Sequence, residues 1–224
     1  KDMPTELPPG LEIPCLLPRE DVRDAFISPR AKSLDALPRG AVVGSASLRR
    51  QAQILQRRPD LVVVTFRGNV QSRLRKLEAG EVDATLLALA GLNRLGKADV
   101  ATDIMHPDIM LPAVAQGAIG IECRIGDARV HDLLLPINCA DTMTRVRAER
   151  AMLAALDGSC HTPIAALATL VDGEVHLRGR ILRPDGSEMI ETSRRGAAAD
   201  AQALGQDAGD ELKRRAGPGF IAGD

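Results

Sequence analysis

Short apolar runs alternate with amphipathic segments between residues 41 and 96. The runs predict strands and the segments predict helices, with strands at 41–43, 61–66 and 83–89 and helices at 47–58, at 70–79 and in a short stretch ending near 96. Strands that alternate with helices are typical of a parallel sheet covered by helices, and such sheets bind ligands at the carboxyl ends of their strands. We therefore expect an α/β fold, with candidate binding loops at Gly44-Ser45 and Arg67-Gly68-Asn69.

The pattern changes in the second half of the chain. It predicts a strand, two helices, three strand-like runs and a last amphipathic helix, at 118–123, 127–135, 141–156, 164–171, 174–182, 188–194 and 198–215. The runs are joined by Asp172-Gly173 and Pro184-Asp185-Gly186, and Asp-Gly between alternating runs is a strong hairpin signal. We expect a small C-terminal α+β domain with a three-stranded antiparallel sheet. The proline-rich first 40 residues should be mostly extended, with one strand in 11–17, and 112–120 predicts a crossing or hinge.

Composition and charge argue against several classes of protein. The 224 residues are 45% apolar and 26% charged, which is ordinary for a globular chain of roughly one and a half domains. The net charge of −1 and the three aromatic residues, all phenylalanine, argue against a nucleic-acid-binding protein. No apolar run is long enough to span a bilayer, and we expect no signal peptide at residues 1–4. The four cysteines form no CxxC pair, so we expect no disulfide framework, no metal site and a cytoplasmic location.

Arginine is concentrated between residues 49 and 76, where seven arginines and one lysine face a single acid, Asp60. Cations late in a helix complement the helix dipole and are expected to be solvated. Four arginines instead follow a strand end or lie early in a helix, where a cation opposes the dipole: Arg49, Arg50, Arg67 and Arg73. We expect these four, with donors at Ser45 and Ser47, to bind a ligand that carries several negative charges. A solvated helix face and a GC-rich genome are the alternative explanations of the arginine excess.

Two further residues are candidates for chemistry. Cys160 lies in a polar, glycine-flanked turn beside His161, so its thiolate is expected to be accessible, although the local sequence is a weak signal. The other cysteines lie among apolar neighbours and are expected to be inert: Cys15, Cys123 and Cys139. Asp2, next to a lysine, would be an ordinary solvated acid in isolation.

Six motifs occur in an order that resembles one enzyme family. They are Lys1-Asp2-Met3-Pro4, the segment 19–26 (REDVRDAF), the segment 43–51 (VGSASLRRQ), Phe66-Arg67-Gly68-Asn69-Val70, the segment 111–117 (LPAVAQG) and Gly158-Ser159-Cys160. With these motifs the chain closely resembles the porphobilinogen deaminase family over essentially its whole length.

The resemblance implies an activity and a cofactor. Enzymes of this family join four porphobilinogen molecules head to tail, with loss of ammonia, to give hydroxymethylbilane on a dipyrromethane cofactor held by a cysteine thioether. That cysteine is Cys160 by the motif match, and the catalytic acid is Asp2. The residues expected to bind the cofactor are Lys1, Ser45, Ser47, Arg49, Arg50, Arg67 and Arg73, and Arg94 is expected to serve substrate binding or elongation. No metal, nucleic-acid or membrane partner is implied, and we expect a monomer.

The resemblance also implies three domains, the first two arranged like a periplasmic binding protein with the site in their cleft. The implied boundaries are 1–18 with 116–136, 22–112, and 138–224, the last bearing Cys160. Family chains carry a substantial segment before Lys-Asp-X-Pro, and without it domain 1 would lack most of its sheet and we expect little or no turnover. Ala46 and His161 are smaller departures from the family pattern. The alternative is a non-catalytic anion-binding module of the solute-receptor type, which would not need Asp2 or Cys160.

Overall fold

The structure, a computed structural model, describes residues 1–157 and 162–220. These ranges contain ten strands: β1 (Leu11–Leu16), β2 (Asp24–Ile27), β3 (Val42–Gly44), β4 (Val62–Val64), β5 (Ala84–Ala88), β6 (Asp103–Ile104), β7 (Gly120–Arg124), β8 (Ile164–Val171), β9 (Glu174–Leu182) and β10 (Met189–Ala197). They also contain six α-helices: α1 (Leu48–Arg57), α2 (Val70–Glu78), α3 (Leu89–Arg94), α4 (Ala128–Leu134), α5 (Ala140–Ala155) and α6 (Ala201–Ala216). None of these helices is both long and apolar enough to cross a membrane.

A five-stranded sheet forms the centre of the first half, in the order β4-β3-β5-β2-β6. The three predicted strands are parallel, since β3 pairs in parallel with both β4 and β5. The parallel sheet is thus found for the predicted strands, and two strands that were not predicted, β2 and β6, extend it in antiparallel pairings. All four residues of β2 are buried, so its sequence shows no alternation of apolar and polar positions.

Helices cover both faces of this sheet. On one face Ile54 of α1 packs with Phe26 and Leu86, and on the other Leu77 of α2 packs with Phe66 and other side chains. Helices α1 and α2 begin close to where the sequence predicts. Their N-cap side chains, those of Ser47 and Asn69, accept hydrogen bonds from backbone N–H groups of the first turn.

Two further sheets complete the fold. Strands β1 and β7 form an antiparallel ribbon, and β8, β9 and β10 form the predicted three-stranded antiparallel sheet. Helices α5 and α6 pack on the three-stranded sheet and on each other. A Cβ atom at Gly205 would lie 2.1 Å from the carbonyl oxygen of Ala148, so only glycine permits this close approach of the two helices. The α/β class and the C-terminal α+β domain are confirmed.

The segment 112–118 crosses between these parts without regular structure, as expected of a crossing. Ala115 has φ of 57°, a conformation that costs energy for a residue with a Cβ atom. Its N–H donates to the buried carboxylate of Glu149 on α5 (2.7 Å). The same carboxylate accepts from Arg19 at 2.7 and 3.0 Å and from the N–H of Ala168 on β8 at 2.8 Å. Glu149 therefore ties the crossing segment to α5 and β8.

We expect Glu149→Ala to lower the free energy of unfolding by about 3–5 kcal/mol, because it leaves the Arg19 guanidinium and two N–H groups buried without their acceptor. Urea denaturation of the purified protein measures this. The control is Glu188→Ala, which breaks the exposed ion pair with Arg183 (3.0 Å) and should cost less than about 1 kcal/mol. Equal losses in the two variants would contradict this role of Glu149.

Candidate active site

A cavity of about 750 Å³ lies among the N-terminal segment, the start of α1, the crossing segment, α5 and the start of β8. This volume is typical of small-molecule sites. Among the described residues, its charged lining consists of four cationic and two acidic side chains: Lys1, Arg49, Arg50, Arg150, Asp2 and Glu6. The cavity therefore combines a positive surface with a small number of carboxylates. Five of the predicted site residues line it: Lys1, Asp2, Ser47, Arg49 and Arg50.

The two arginines of the first turn of α1 share one buried counter-ion, Asp24 at the start of β2. Arg49 Nη2 donates to Asp24 Oδ2 at 2.8 Å, and Arg50 Nη2 donates to Asp24 Oδ1 at 2.7 Å. Each guanidinium also donates to a backbone carbonyl, Arg49 to Leu111 (2.7 Å) and Arg50 to Leu86 (3.0 Å). Two cations at the positive end of a helix are thus compensated in part from within the protein.

Burial alone would raise the pKa of the Asp24 carboxyl, but the guanidiniums of Arg49 and Arg50 outweigh it and hold that pKa well below its usual range. Burial lowers the pKa of Arg49, and Asp24 partly offsets this. Because the pKa of Asp24 is lowered in the folded state, its contribution to stability is complete above the ordinary carboxyl pKa of about 4. That contribution is lost as the pH falls through the lowered value.

The sequence interpretation of Arg49 and Arg50 needs a correction. It took both as cations that require a ligand anion, and it missed Asp24 because the acid lies 25 residues before Arg49. Two guanidiniums still face one carboxylate, so the pair keeps a net positive charge at the cavity wall. Arg49 Nε is buried and has no hydrogen-bond partner in the described part of the chain. Such an unpaired donor is costly unless something accepts from it.

Arg150 on α5 holds the segment that carries Asp2. Its Nη2 donates to the carbonyls of Pro4 (2.8 Å) and Thr5 (2.9 Å). Burial lowers the pKa of Arg150, and partial desolvation followed by the nearby Arg50 guanidinium lowers the pKa of the Lys1 amine. The Asp2 side chain is exposed at the cavity, within the field of these cations. Arg150 was not predicted, since nothing in the sequence near it marks it as different from other helix arginines.

Of the remaining predicted residues, those that the structure describes do not line the cavity. Ser45 is buried at the end of β3, and its hydroxyl accepts from the Ser47 N–H (3.1 Å), so it shapes the turn into α1. Arg67 and Arg94 are exposed. Arg73 is half-buried, and desolvation followed by the Arg50 charge lowers its pKa.

Cys160 lies outside the described residues, as does its neighbour His161. Thr162, two positions after Cys160, lines the cavity. The chain that follows Cys160 and His161 therefore contributes to the cavity wall from Thr162 onward.

Comparison with known proteins gives two family matches. Residues 1–132 match "Porphobilinogen deaminase, dipyromethane cofactor binding domain", and residues 143–214 match "Porphobilinogen deaminase, C-terminal domain". The porphobilinogen deaminase of Paracoccus denitrificans is 60% identical over 99% of this chain and 71% of its own length. That of Nitrobacter hamburgensis is 58% identical over 99% of this chain and 70% of its own length. Among solved structures, a periplasmic sulfonate-binding protein from Methylobacillus flagellatus KT aligns with 66% of this chain and 44% of its own, at 16% identity and a TM-score of 0.35.

We expect Asp24→Asn to lower the free energy of unfolding by about 3 kcal/mol or more, because two guanidiniums would stay buried without a charged partner. Asp35→Asn is the matched control. Asp35 forms an exposed ion pair (2.6 Å) with Arg57, which lies in α1 like Arg49 and Arg50, and this pair should contribute less than about 1 kcal/mol to the free energy of unfolding. Urea denaturation of both variants measures the difference. If Asp24→Asn were no more destabilising than its control, Asp24 would not hold the arginines in place.

Proposed function

Because this chain belongs to the porphobilinogen deaminase family, we propose that its cationic cavity is the place where the oligopyrrole is built, with Asp2 as the catalytic acid. The activity is the transferase reaction of the family, in which four porphobilinogen molecules are deaminated and joined head to tail into hydroxymethylbilane. The observation that carries the proposal is the meeting of Asp2, Lys1, Arg49 and Arg50 on one cavity. A non-catalytic receptor is not favoured, since both family matches are to an enzyme.

The residues present suit the dipyrromethane cofactor of the family. Each of its pyrrole units carries an acetate and a propionate, and guanidinium groups bind carboxylates with paired, charge-assisted hydrogen bonds. Arg49, Arg50 and Lys1 would hold these carboxylates. Cys160 would carry the thioether, from the segment next to Thr162 at the cavity. When bound, the cofactor supplies the pyrrole carbon to which the first substrate is joined.

Asp2 supports the reaction through its charge and its proton exchange. Loss of ammonia and the coupling that follows leave positive charge on pyrrole groups. A carboxylate held close to that charge stabilises it in the transition state and moves protons. The hydrogen bonds from Arg150 to the carbonyls of Pro4 and Thr5 would keep Asp2 in position.

The other predicted residues have roles that follow from their places. Ser47 would add a hydroxyl at the cavity and Ser45 would shape the loop beneath it. Half-buried Arg73 and exposed Arg67 would serve later cofactor or chain carboxylates, and Arg94 would assist elongation. We also propose the domain boundaries 1–18 with 116–136, 22–112 and 138–224, and a cytoplasmic monomer that acts on porphobilinogen without nucleic-acid or membrane partners.

Intact-mass spectrometry of the full-length protein made in cells supplied with substrate tests the cofactor assignment. We expect the wild-type mass to exceed the sequence mass by two pyrrole units and the Cys160→Ser mass to match the sequence, because the serine offers no sulfur for the thioether. Cys139→Ser is the control and should keep the addition. An unmodified wild-type protein, or a modified Cys160→Ser protein, would overturn the assignment.

Substitution of Asp2 tests the catalytic role. In full-length Asp2→Glu we expect turnover to fall by about 100-fold or more with the cofactor still attached, because the longer side chain moves the carboxylate off the developing charge. Glu6→Asp changes another cavity carboxylate by the same methylene group and should keep most of the activity. Product formation per cofactor-loaded enzyme is the measurement. Unchanged turnover in Asp2→Glu would remove Asp2 from its role.

A further inference from the structure

Three side chains that could ligate a metal meet at the edge of the β1–β7 ribbon. Glu12 on β1 and Cys123 on β7 are directly opposite each other in the antiparallel pairing. His131 on α4 lies next to them, with its Nε2 atom 2.9 Å from Glu12 Oε1. The carboxylate oxygen, the sulfur and the ring nitrogen all lie within 4.8 Å of one another. None of the three lines the cavity described above.

The donor types select the class of ion. Mg²⁺ and Ca²⁺ are bound almost entirely by oxygen ligands, so a sulfur and an imidazole in the set disfavour both. Thiolate, imidazole and carboxylate are together the ligands that Zn²⁺ uses. We propose that Glu12, Cys123 and His131 form a binding site for Zn²⁺, with a fourth position open to water.

The geometry allows this with a small adjustment. Bonds of about 2.0–2.3 Å in a tetrahedral zinc site place neighbouring ligand atoms roughly 3.3–3.7 Å apart. The present separations are up to 4.8 Å, so the donors need to close by about 1 Å. Glu12 and His131 keep 34% and 35% of their side-chain surface exposed, so both can change rotamer without repacking a core. A three-ligand set with an open position is an accessible site rather than a closed structural one.

The surrounding charge favours a cation. Three carboxylates act electrostatically on the Cys123 thiol: those of Glu12, Asp127 and Glu122. A divalent cation is attracted by these carboxylates and stabilises the thiolate as its ligand. Zn²⁺ binding here therefore releases the thiol proton and replaces the contact between Glu12 and His131 by two bonds to the metal.

The proposal departs from the sequence expectation of no metal site and of an inert Cys123. That expectation was drawn from the spacing of the cysteines, and this cluster takes one ligand from each of three elements. Glu12 and Cys123 are 111 residues apart, so only the pairing of β1 with β7 brings them together. Bound metal would tie α4 to the ribbon and so stabilise this part of the fold.

Titration of the full-length, chelator-treated protein with Co²⁺ tests the site, since Co²⁺ takes zinc geometry and a thiolate ligand gives it an intense near-ultraviolet charge-transfer band. We expect one equivalent of Co²⁺ to give this band and Zn²⁺ to abolish it. Cys123→Ser should remove the band, and His131→Gln should weaken Zn²⁺ affinity by about 100-fold or more, since loss of even an outer partner costs 10–100-fold. Cys139→Ser and His106→Gln are the controls, and each should retain the Co²⁺ band and the wild-type Zn²⁺ affinity.

Thermal unfolding gives a second measurement that does not depend on the thiolate band. Stoichiometric Zn²⁺ should raise the unfolding midpoint of the wild type and of His106→Gln but not of His131→Gln. His131 is half-exposed, so its substitution leaves the core intact and keeps the test informative if Cys123→Ser folds poorly. No band in the wild type, a band that survives in Cys123→Ser, or a Zn²⁺ effect lost equally in the controls would overturn the proposal.

Discussion

The candidate site depends on one interaction, the pairing of the buried Asp24 carboxylate with the guanidiniums of Arg49 and Arg50. This carboxylate accepts hydrogen bonds from Arg49, Arg50 and Gln116, which come from the first turn of α1 and from the crossing segment. Ions buried this deeply are tolerated only when their partners are all in place, because each partner alone would carry a large desolvation penalty. The β2 strand, α1 and the crossing segment are therefore held in one relative position, and two of these three elements line the cavity.

A second buried acid extends this arrangement to the rest of the fold. Gln116 uses its side chain for Asp24 at 3.0 Å, and its carbonyl accepts from Arg19 Nε at 2.9 Å. Arg19 in turn pairs with Glu149, which is fully buried on α5. One continuous chain of hydrogen bonds and ion pairs thus runs from the central sheet to α5. The same helix carries Arg150, which positions the Asp2 segment. The cavity has walls from distant parts of the sequence because these hydrogen bonds and ion pairs fix them together.

Local signals in the sequence predict most helices and strands. The features that were not predicted depend on contacts between residues far apart in the sequence. Ser47 and Asn69 mark helix starts, and Asp172-Gly173 marks a hairpin, because each acts on its own neighbours. Strand β2 has no such signal, since burial on both faces removes its alternation, and β6 is only two residues long. Lys1, Asp2, Ser47, Arg49 and Arg50 were predicted for the site, but the counter-ion Asp24 and the support from Arg150 depend on tertiary contacts.

The fate of the arginine excess shows why residue type alone does not identify a binding cation. Arg57 ends the same helix as Arg49 and Arg58 follows it, yet they pair with Asp35 and Asp60 near the surface. Those pairs balance one charge with one charge, and solvent screens them. At the other end of α1 two guanidiniums share a single buried acid, so one positive charge is left over where water is largely excluded. An uncompensated charge in such a place is a stronger attraction for a carboxylate than many paired charges outside. Within the described residues no second acid pairs with these two guanidiniums, and this excess charge is the physical basis for proposing that this end of the helix binds carboxylates.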